Sequence, residues 1–248
     1  MDDSKQFSFQ RYFDGKLQEQ LEDIVVETKL ELWLEDFMLA KFSCSPGLED
    51  MLAIGYLMSS GLVDDFQDIK LLSVEPGSIT LSSRNRIDLI ERFLQLKTEN
   101  IHIYHPQSTR QFSLTYDSLF GYVNQMRKNQ VLHVETGGTH ASMLVNPLED
   151  DFLFAEDIGR LNSMDKVIGL AISEKWELEN SIFFVTGRIT SEMVYKAVYT
   201  QVPALCSLSV ATDKGIASAG DSNITLIGSI KPDSFWLYNS GAVVIEES

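Results

Sequence analysis

The sequence predicts a layered α/β protein, a mixed sheet flanked by helices and preceded by a β-rich N-terminal portion. Two patterns carry that expectation. From Ile182 onward, strand-like apolar runs alternate with helical stretches, which implies parallel neighbours joined by right-handed crossovers. Between Ile24 and Ser45, apolar and polar residues alternate about an acidic turn, the period of a half-buried strand pair. The 248 residues, 44% of them hydrophobic, are enough to fill a sizeable core.

In chain order, MDDSKQFSFQRYFDGK reads as a polar N-terminal stretch. Acids precede its first lysine and no apolar run ends in small residues, so it lacks the pattern of a secretory signal. IVVETKLELWLED and FMLAKFSCS form a β-hairpin turning at Glu35 and Asp36. SPGLEDMLAIGYLMSSG changes to helical spacing, with Ser45 as N-cap, Pro46 at the first helical position and Gly61 as the stop. Residues 69–83 are two short strands about a Pro-Gly turn, and IDLIERFLQL from Ile87 is a helix. From His102 to Tyr116 the pattern is weakest: HPQSTRQ is a polar, proline-containing connector, after which YDSLFGYVNQMRK is helical. The last half supplies strands at VLHVE, ASMLVN, SIFFV, ALCSLS, ITLIGSI and FWLY, with helices starting near Asn162, Thr190 and Thr212. Residues 1–115 are thus a hairpin-and-helix portion with its connector, and residues 116–248 an α/β domain; the two can pack as one unit.

Composition narrows the function. Thirty-six acids against twenty bases give a net charge of -16, and the bases are not in runs, which argues against nucleic acid as a partner. No apolar stretch approaches the length needed to span a bilayer, so the expected location is the cytoplasm. The two cysteines, Cys44 and Cys206, belong to no CxxC and to no metal-ligand spacing, which argues against a disulfide framework and against zinc.

Two places share one pattern: Gly159-Arg160-Leu161-Asn162-Ser163 and Gly187-Arg188-Ile189-Thr190-Ser191. Each opens a predicted helix. Glycine lets backbone approach a ligand, an Asn or Thr cap starts the helix, and the free N–H groups of the first turn favour an anion. An arginine before each cap suits bidentate phosphate contacts. Two such starts side by side would make a cradle the size of a pyrophosphate. The plainer reading, arginines paired with surface acids and a chance similarity of five residues, stands beside it. Thr136-Gly137-Gly138-Thr139-His140 is a further glycine turn, read as following a strand.

The order of TGGTHAS, EDIGRLNSMDKVIG, TGRITSEMVYKA and VPALCSLSVATDKGIASAGDSNITLIGS, with CSPGLEDMLAIGYLMSSGLV ahead of them, resembles the successive motifs of the FdhD/NarQ formate dehydrogenase accessory family, from about Ile24 to Tyr238. The resemblance implies a cytidine deaminase-like fold with its cleft at two helix starts. It also implies a sulfurtransferase that carries sulfur from a cysteine desulfurase to the molybdenum bis-guanine-dinucleotide cofactor of formate dehydrogenase, as well as a homodimer. By the same resemblance the cofactor is held by Gly137, Gly138, His140, Asp157, Gly159, Arg160, Asn162, Gly187, Arg188 and Ser191. Ser229, Lys231 and Ser234 belong to SIKPDS, which matches the family's guanine-contacting turn. GDP would then mimic the cofactor.

Three departures from the family stand out. The family's persulfide rides on a CxxC in a loop ahead of the TGG motif, but the interval YHPQSTRQFSLTY contains no cysteine. Leu161 stands where the family usually has histidine, and Lys231 is the one base in a turn that is usually richer in arginine. At the two helix starts no thiol, imidazole or carboxylate occupies the zinc-ligand positions of deaminases. Cys44, near a helix start, is a physically admissible substitute carrier, set against the reading of a buried small apolar residue. A non-catalytic module that holds the cofactor or docks on the dehydrogenase is therefore the rival reading. A nucleotide enzyme using Glu156 or Asp157 as general base is the third.

Overall fold

The computed structural model describes residues 3–66, 69–99 and 112–247. The expected polar connector HPQSTRQ, His105 to Gln111, lies outside the described residues. The N-terminal stretch is an antiparallel hairpin, β1 (Ser4–Phe13) and β2 (Lys16–Val25), which turns at Asp14 and Gly15, both with positive φ. The Ile24–Val25 segment ends β2 and does not begin the next strand. Both faces of this hairpin are exposed, so it lacks the clean alternation that a half-buried strand shows.

β3 (Thr28–Leu34) and β4 (Phe37–Cys44) form the expected hairpin about Glu35 and Asp36, burying Leu30, Leu32 and Leu34. β5 (Ile69–Glu75) and β6 (Ser78–Ser83) turn at Gly77, and β6 pairs parallel with β3, giving the order β4-β3-β6-β5. α1 (Glu49–Ser59) and α2 (Arg86–Glu99) pack on this sheet through Leu52, Leu57 and Leu89. The start of α1 differs from expectation. Its cap is Leu48 in the left-handed region after Gly47, with no side-chain bond, because Ser45 is drawn into a buried polar cluster instead. Gly61, at φ 72°, follows its end as expected.

β7 (Phe112–Thr115), which had no sequence signal, pairs parallel with β14 (Val243–Glu246). α3 (Tyr116–Asn129) is capped by Thr115, whose hydroxyl accepts from the Ser118 N–H at 3.2 Å. VLHVE, expected as a strand, is the short helix α4 (Val131–Thr136), and Gly137 in the left-handed region closes it. Its start is held by Glu156, which accepts from the N–H groups of Leu132 (3.0 Å) and His133 (2.8 Å). Long-range capping thus overrides a β-branched local preference.

The remaining elements are β8 (His140–Asn146), β9 (Asp151–Asp157), α5 (Arg160–Ser173), β10 (Ile182–Val185), α6 (Ser191–Tyr199), β11 (Ala204–Ser207), α7 (Asp213–Asp221), β12 (Thr225–Lys231) and β13 (Ser234–Asn239). They build a six-stranded mixed sheet, β13-β12-β11-β10-β8-β9, in which β10, β11 and β12 are parallel as expected. β9 was not anticipated as a strand. Consecutive residues feed opposite faces. Phe183 packs toward α5 and α6 with Met164, Val167 and Val194, whereas Phe184 packs toward α3 with Leu119, Val123 and Met126.

α1 and α5 bind the two sheets together at very short range. A Cβ on Gly55 would lie 1.8 Å from the Asp165 carbonyl oxygen, and one on Gly169 would lie 2.0 Å from that of Met51. Two buried ion pairs line the same seam from the side of the six-stranded sheet, each reached by a serine from across it: Lys166 with Asp157 (2.8 Å), sharing Ser45, and Lys196 with Asp165 (2.7 Å), sharing Ser59. Among the described residues no helix is long and apolar enough to cross a membrane.

Candidate anion-binding site at two helix starts

The strand directions gather the predicted site at one end of the six-stranded sheet. β9, β10, β11 and β12 end there, and antiparallel β8 begins there. α5 and α6 start at that end, as does the turn from β12 to β13. Ligands of open α/β sheets favour this position, where backbone N–H groups point outward.

The two Gly-Arg segments touch. A Cβ on Gly187 would stand 3.0 Å from Arg160 Cβ and 3.1 Å from its Cδ, so the Arg160 stem lies flat on the second glycine. Arg160 Nε is buried with no protein partner. Gly159 is the N-cap of α5 and Thr190 that of α6, and neither start has a side-chain cap bond. Thr190 Oγ1 is likewise buried with no protein partner. Arg188 is exposed, and Ser191 opens α6 beside a cavity of about 650 Å³ that runs between α1, α2, α6 and α7.

His140 opens β8 with Nδ1 3.4 Å from Thr186 Oγ1, which accepts from the Ala141 N–H at 3.0 Å. Burial first, then the nearby Arg160 and His133 charges, hold its pKa below the ordinary imidazole value. The ring is therefore neutral near pH 7. Gly137 and Gly138 are exposed, and Gly138 packs against Val25, where a Cβ would meet Cγ1 at 2.5 Å. The TGG turn thus follows a helix and leans on the base of the N-terminal hairpin. The Gly187 carbonyl accepts from Ser207 Oγ at 2.7 Å, which fixes the second loop.

Asp157 and Asn162 occupy a different layer from the arginines. Asp157 is 0% exposed. One of its oxygens accepts from Gly159 N–H (2.8 Å) and Asn162 Nδ2 (2.9 Å), the other from Ser45 and Lys166 Nζ. Asn162 also donates to the Ser43 carbonyl at 2.7 Å, and it sits inside the first turn of α5 instead of capping it. The pair holds the first Gly-Arg loop from beneath. Ser229, at φ 51°, donates its N–H to the Ser209 carbonyl, while Lys231 and Ser234 are exposed cross-strand partners at the β12–β13 turn.

Ser45, Lys166, Thr186 and Ser207 were not singled out for these parts. They lie inside quoted motifs, but their role depends on long-range contacts with no sequence spacing. Glu156, weighed as a general base, has its carboxylate engaged by Leu132, His133 and the Thr139 hydroxyl (2.7 Å). Both thiols are buried, and burial raises both pKa values; Cys44 Sγ rests 3.5 Å from Thr28 Oγ1. Among the described residues no three His, Cys, Asp or Glu side chains gather as a metal site requires.

The profile of the FdhD/NarQ family matches residues 25–244. The chain belongs to the FdhD/NarQ family. Its similar relatives are sulfur carrier proteins FdhD, among them those of Wolinella succinogenes, 27% identical over 96% of this chain and 89% of that protein, and of Saccharolobus solfataricus, 27% identical over 94% and 95%. The Staphylococcus aureus protein is 27% identical over 95% and 94%. The fold superimposes on a crystal structure described as a formate dehydrogenase accessory protein of Desulfotalea psychrophila, with a TM-score of 0.80 at 22% identity over 96% of this chain and 97% of that one. Relative to the FdhD/NarQ profile, the described site falls wholly inside the matched span and the hairpin β1–β2 almost wholly before it.

Proposed function

We propose that the chain is an accessory protein of formate dehydrogenase maturation and that it binds the molybdenum bis-guanine-dinucleotide cofactor as its client at the end of the six-stranded sheet. The observation that carries this reading is the meeting of the two helix starts. Arg160 lies on Gly187 with a buried, unpartnered Nε, beside a start of α6 whose Thr190 hydroxyl is also unpartnered. Those are donors suited to an anion. When bound, the cofactor supplies the molybdenum that accepts sulfur; the chain's residues bind and orient its nucleotide ends. Arg160, Arg188 and the first N–H groups of α5 and α6 would hold phosphate. Lys231 and Ser234, respectively two and three strand spacings or about 10 and about 14 Å from β10, would meet the guanine.

In this reading sulfur passes from a cysteine desulfurase through the accessory protein to the cofactor, in keeping with relatives named sulfur carrier proteins. The thiols favour a second reading, a module that holds the cofactor or docks on the dehydrogenase without moving sulfur. A persulfide carrier needs an accessible thiolate, and Cys44 and Cys206 are buried with raised pKa values.

Calorimetric titration with GDP tests the site. Wild type is expected to bind, and Arg160→Ala with Arg188→Ala to weaken binding by more than tenfold, since each charge-assisted bond is worth about 1.5–3 kcal/mol. Absence of binding to wild type would remove the reading. Incubation with a cysteine desulfurase and cysteine, followed by intact mass, separates the two roles: gain of one sulfur atom supports the carrier, and none supports the docking module.

A further inference from the structure

Of the three tryptophans, Trp33 and Trp176 are half-buried and Trp236 stands 63% exposed. Trp236 is the third residue of β13, the edge strand of the six-stranded sheet, and β13 begins at the end where α5 and α6 start. A single exposed apolar side chain is ordinary on a folded surface. The surroundings of this one are not. It shares a face with Tyr238, two residues on, and Tyr238 packs on the apolar cluster beneath α5, α6 and α7. The indole is therefore on the side of the sheet from which the two Gly-Arg helices rise. Its ring centroid is 5.9 Å from that of Tyr238, the planes tilted by 56°. Across the strand pair Trp236 faces Gly228, where a Cβ would meet Tyr238 Cε2 at 2.7 Å and the Ser209 carbonyl oxygen at 2.8 Å. Tyr238 thus fills the space over Gly228 and props the indole from one side.

Two backbone bonds tie this corner to the second Gly-Arg segment. Ser229 N–H donates to the Ser209 carbonyl at 2.7 Å, and Ile189 N–H donates to the Val210 carbonyl at 3.0 Å. Arg188, Val210 and Trp236 are all exposed along that line. β13 stands three strand spacings, about 14 Å, from β10, which runs into Gly187. A separation of that order suits an extended nucleoside diphosphate, with its base at one end and its phosphates at the other.

We infer that the indole of Trp236 is the platform on which the base of the bound nucleotide stacks while Arg160 and Arg188 hold the phosphates, an assignment that rests on the cofactor reading and adds to it the group that selects the base. Every base has a π face, and a purine covers more of an indole than a pyrimidine does, so the platform favours purines. Ser234 lies on the same face of β13, two residues nearer the turn, and meets the edge of the stacked base.

Calorimetric titration of wild type and Trp236→Ala with GDP, UDP and inorganic pyrophosphate tests the platform. Wild type is expected to bind GDP more tightly than UDP. Trp236→Ala is expected to weaken GDP by about 10–100-fold, to narrow the preference for GDP over UDP, and to leave pyrophosphate unchanged, the scale being that of one base stacked on an aromatic ring. Trp236→Phe, which keeps a smaller ring, is expected to fall between them. Arg160→Ala with Arg188→Ala is expected to weaken all three ligands. With Trp33→Phe and Trp176→Phe in place, GDP is expected to quench the remaining fluorescence and pyrophosphate to leave it unaltered. Undiminished GDP binding by Trp236→Ala, or a loss that extends equally to pyrophosphate, overturns the platform and leaves the phosphate site standing. A wild type that binds neither GDP nor pyrophosphate removes the cofactor reading and the platform with it.

Discussion

His140 shows how one residue reports its surroundings. Burial and the Arg160 guanidinium disfavour its protonated form in the folded chain, whereas an unfolded histidine titrates near its usual value of about 6.5. As pH falls through that value, the unfolded chain takes up a proton that the native chain refuses, so the stability present above it declines until the folded pKa is reached. Urea midpoints are therefore expected to fall between about pH 7.5 and about pH 5.5, and His140→Asn to fall less. Equal losses would show that the imidazole is not held neutral. At this scale the sequence made the two Gly-Arg segments and His140 visible, because glycine and arginine before a helix have a local physical meaning. It did not separate the outward-facing Arg188 from the inward-facing Asp157 and Asn162. That sorting depends on Ser45, Ser43 and Lys166, which arrive from elsewhere in the chain. Ser45 reads as an N-cap for the same reason: nothing local reveals that its hydroxyl is engaged by Asp157.

Most helices and strands with a buried face were legible, short β7 and acid-flanked β9 excepted. The β3–β4 hairpin, α1 and α6 bury a periodic stripe, while α5 and the parallel β10-β11-β12 set are buried nearly throughout and read as apolar runs of helix or strand length. β1, β2 and α4 bury no residue, so periodicity had nothing to report. The crossing of α1 on α5 carries a prediction of its own. Ala is a better helix former than Gly by about 1 kcal/mol, but a methyl on Gly55 would enter the backbone of α5 at Asp165. Gly55→Ala is therefore expected to destabilise by about 2–3 kcal/mol, the scale of an overpacked core. Gly121 in α3 is exposed, with nothing within 4 Å of its would-be Cβ, and Gly121→Ala is expected to stabilise by about 0.5–1 kcal/mol. Chemical denaturation of the two variants checks both signs. A harmless Gly55→Ala would mean that the helices stand farther apart than described.

At the scale of the whole molecule, the residues before and after 115 are joined at more than one place, for β7 pairs with β14 and α1 crosses α5. Leu30, Leu52 and Ile79 belong to one apolar cluster and Phe183, Leu205 and Leu226 to another. Between them lies the α1–α5 crossing, where Gly55 and Gly169 bring the backbones together and Ser45 and Ser59 reach across to two buried ion pairs of the second half. Separating the halves would take from these two pairs the bonds of Ser45 and Ser59, and a hydrogen bond to a charged group contributes about 1.5–3 kcal/mol, so about 3–6 kcal/mol for the two. That cost is comparable to a small domain's whole stability, so neither half is expected to persist once the other unfolds. Trp33 reports on the first half and Trp176 on the second. With Trp236→Phe in both, a variant retaining Trp33 alone and one retaining Trp176 alone are expected to give urea transitions that superimpose on each other and on the loss of helical circular dichroism. Transitions separated in midpoint would show two units folding independently, and the seam would then be a contact between finished domains instead of the core of one.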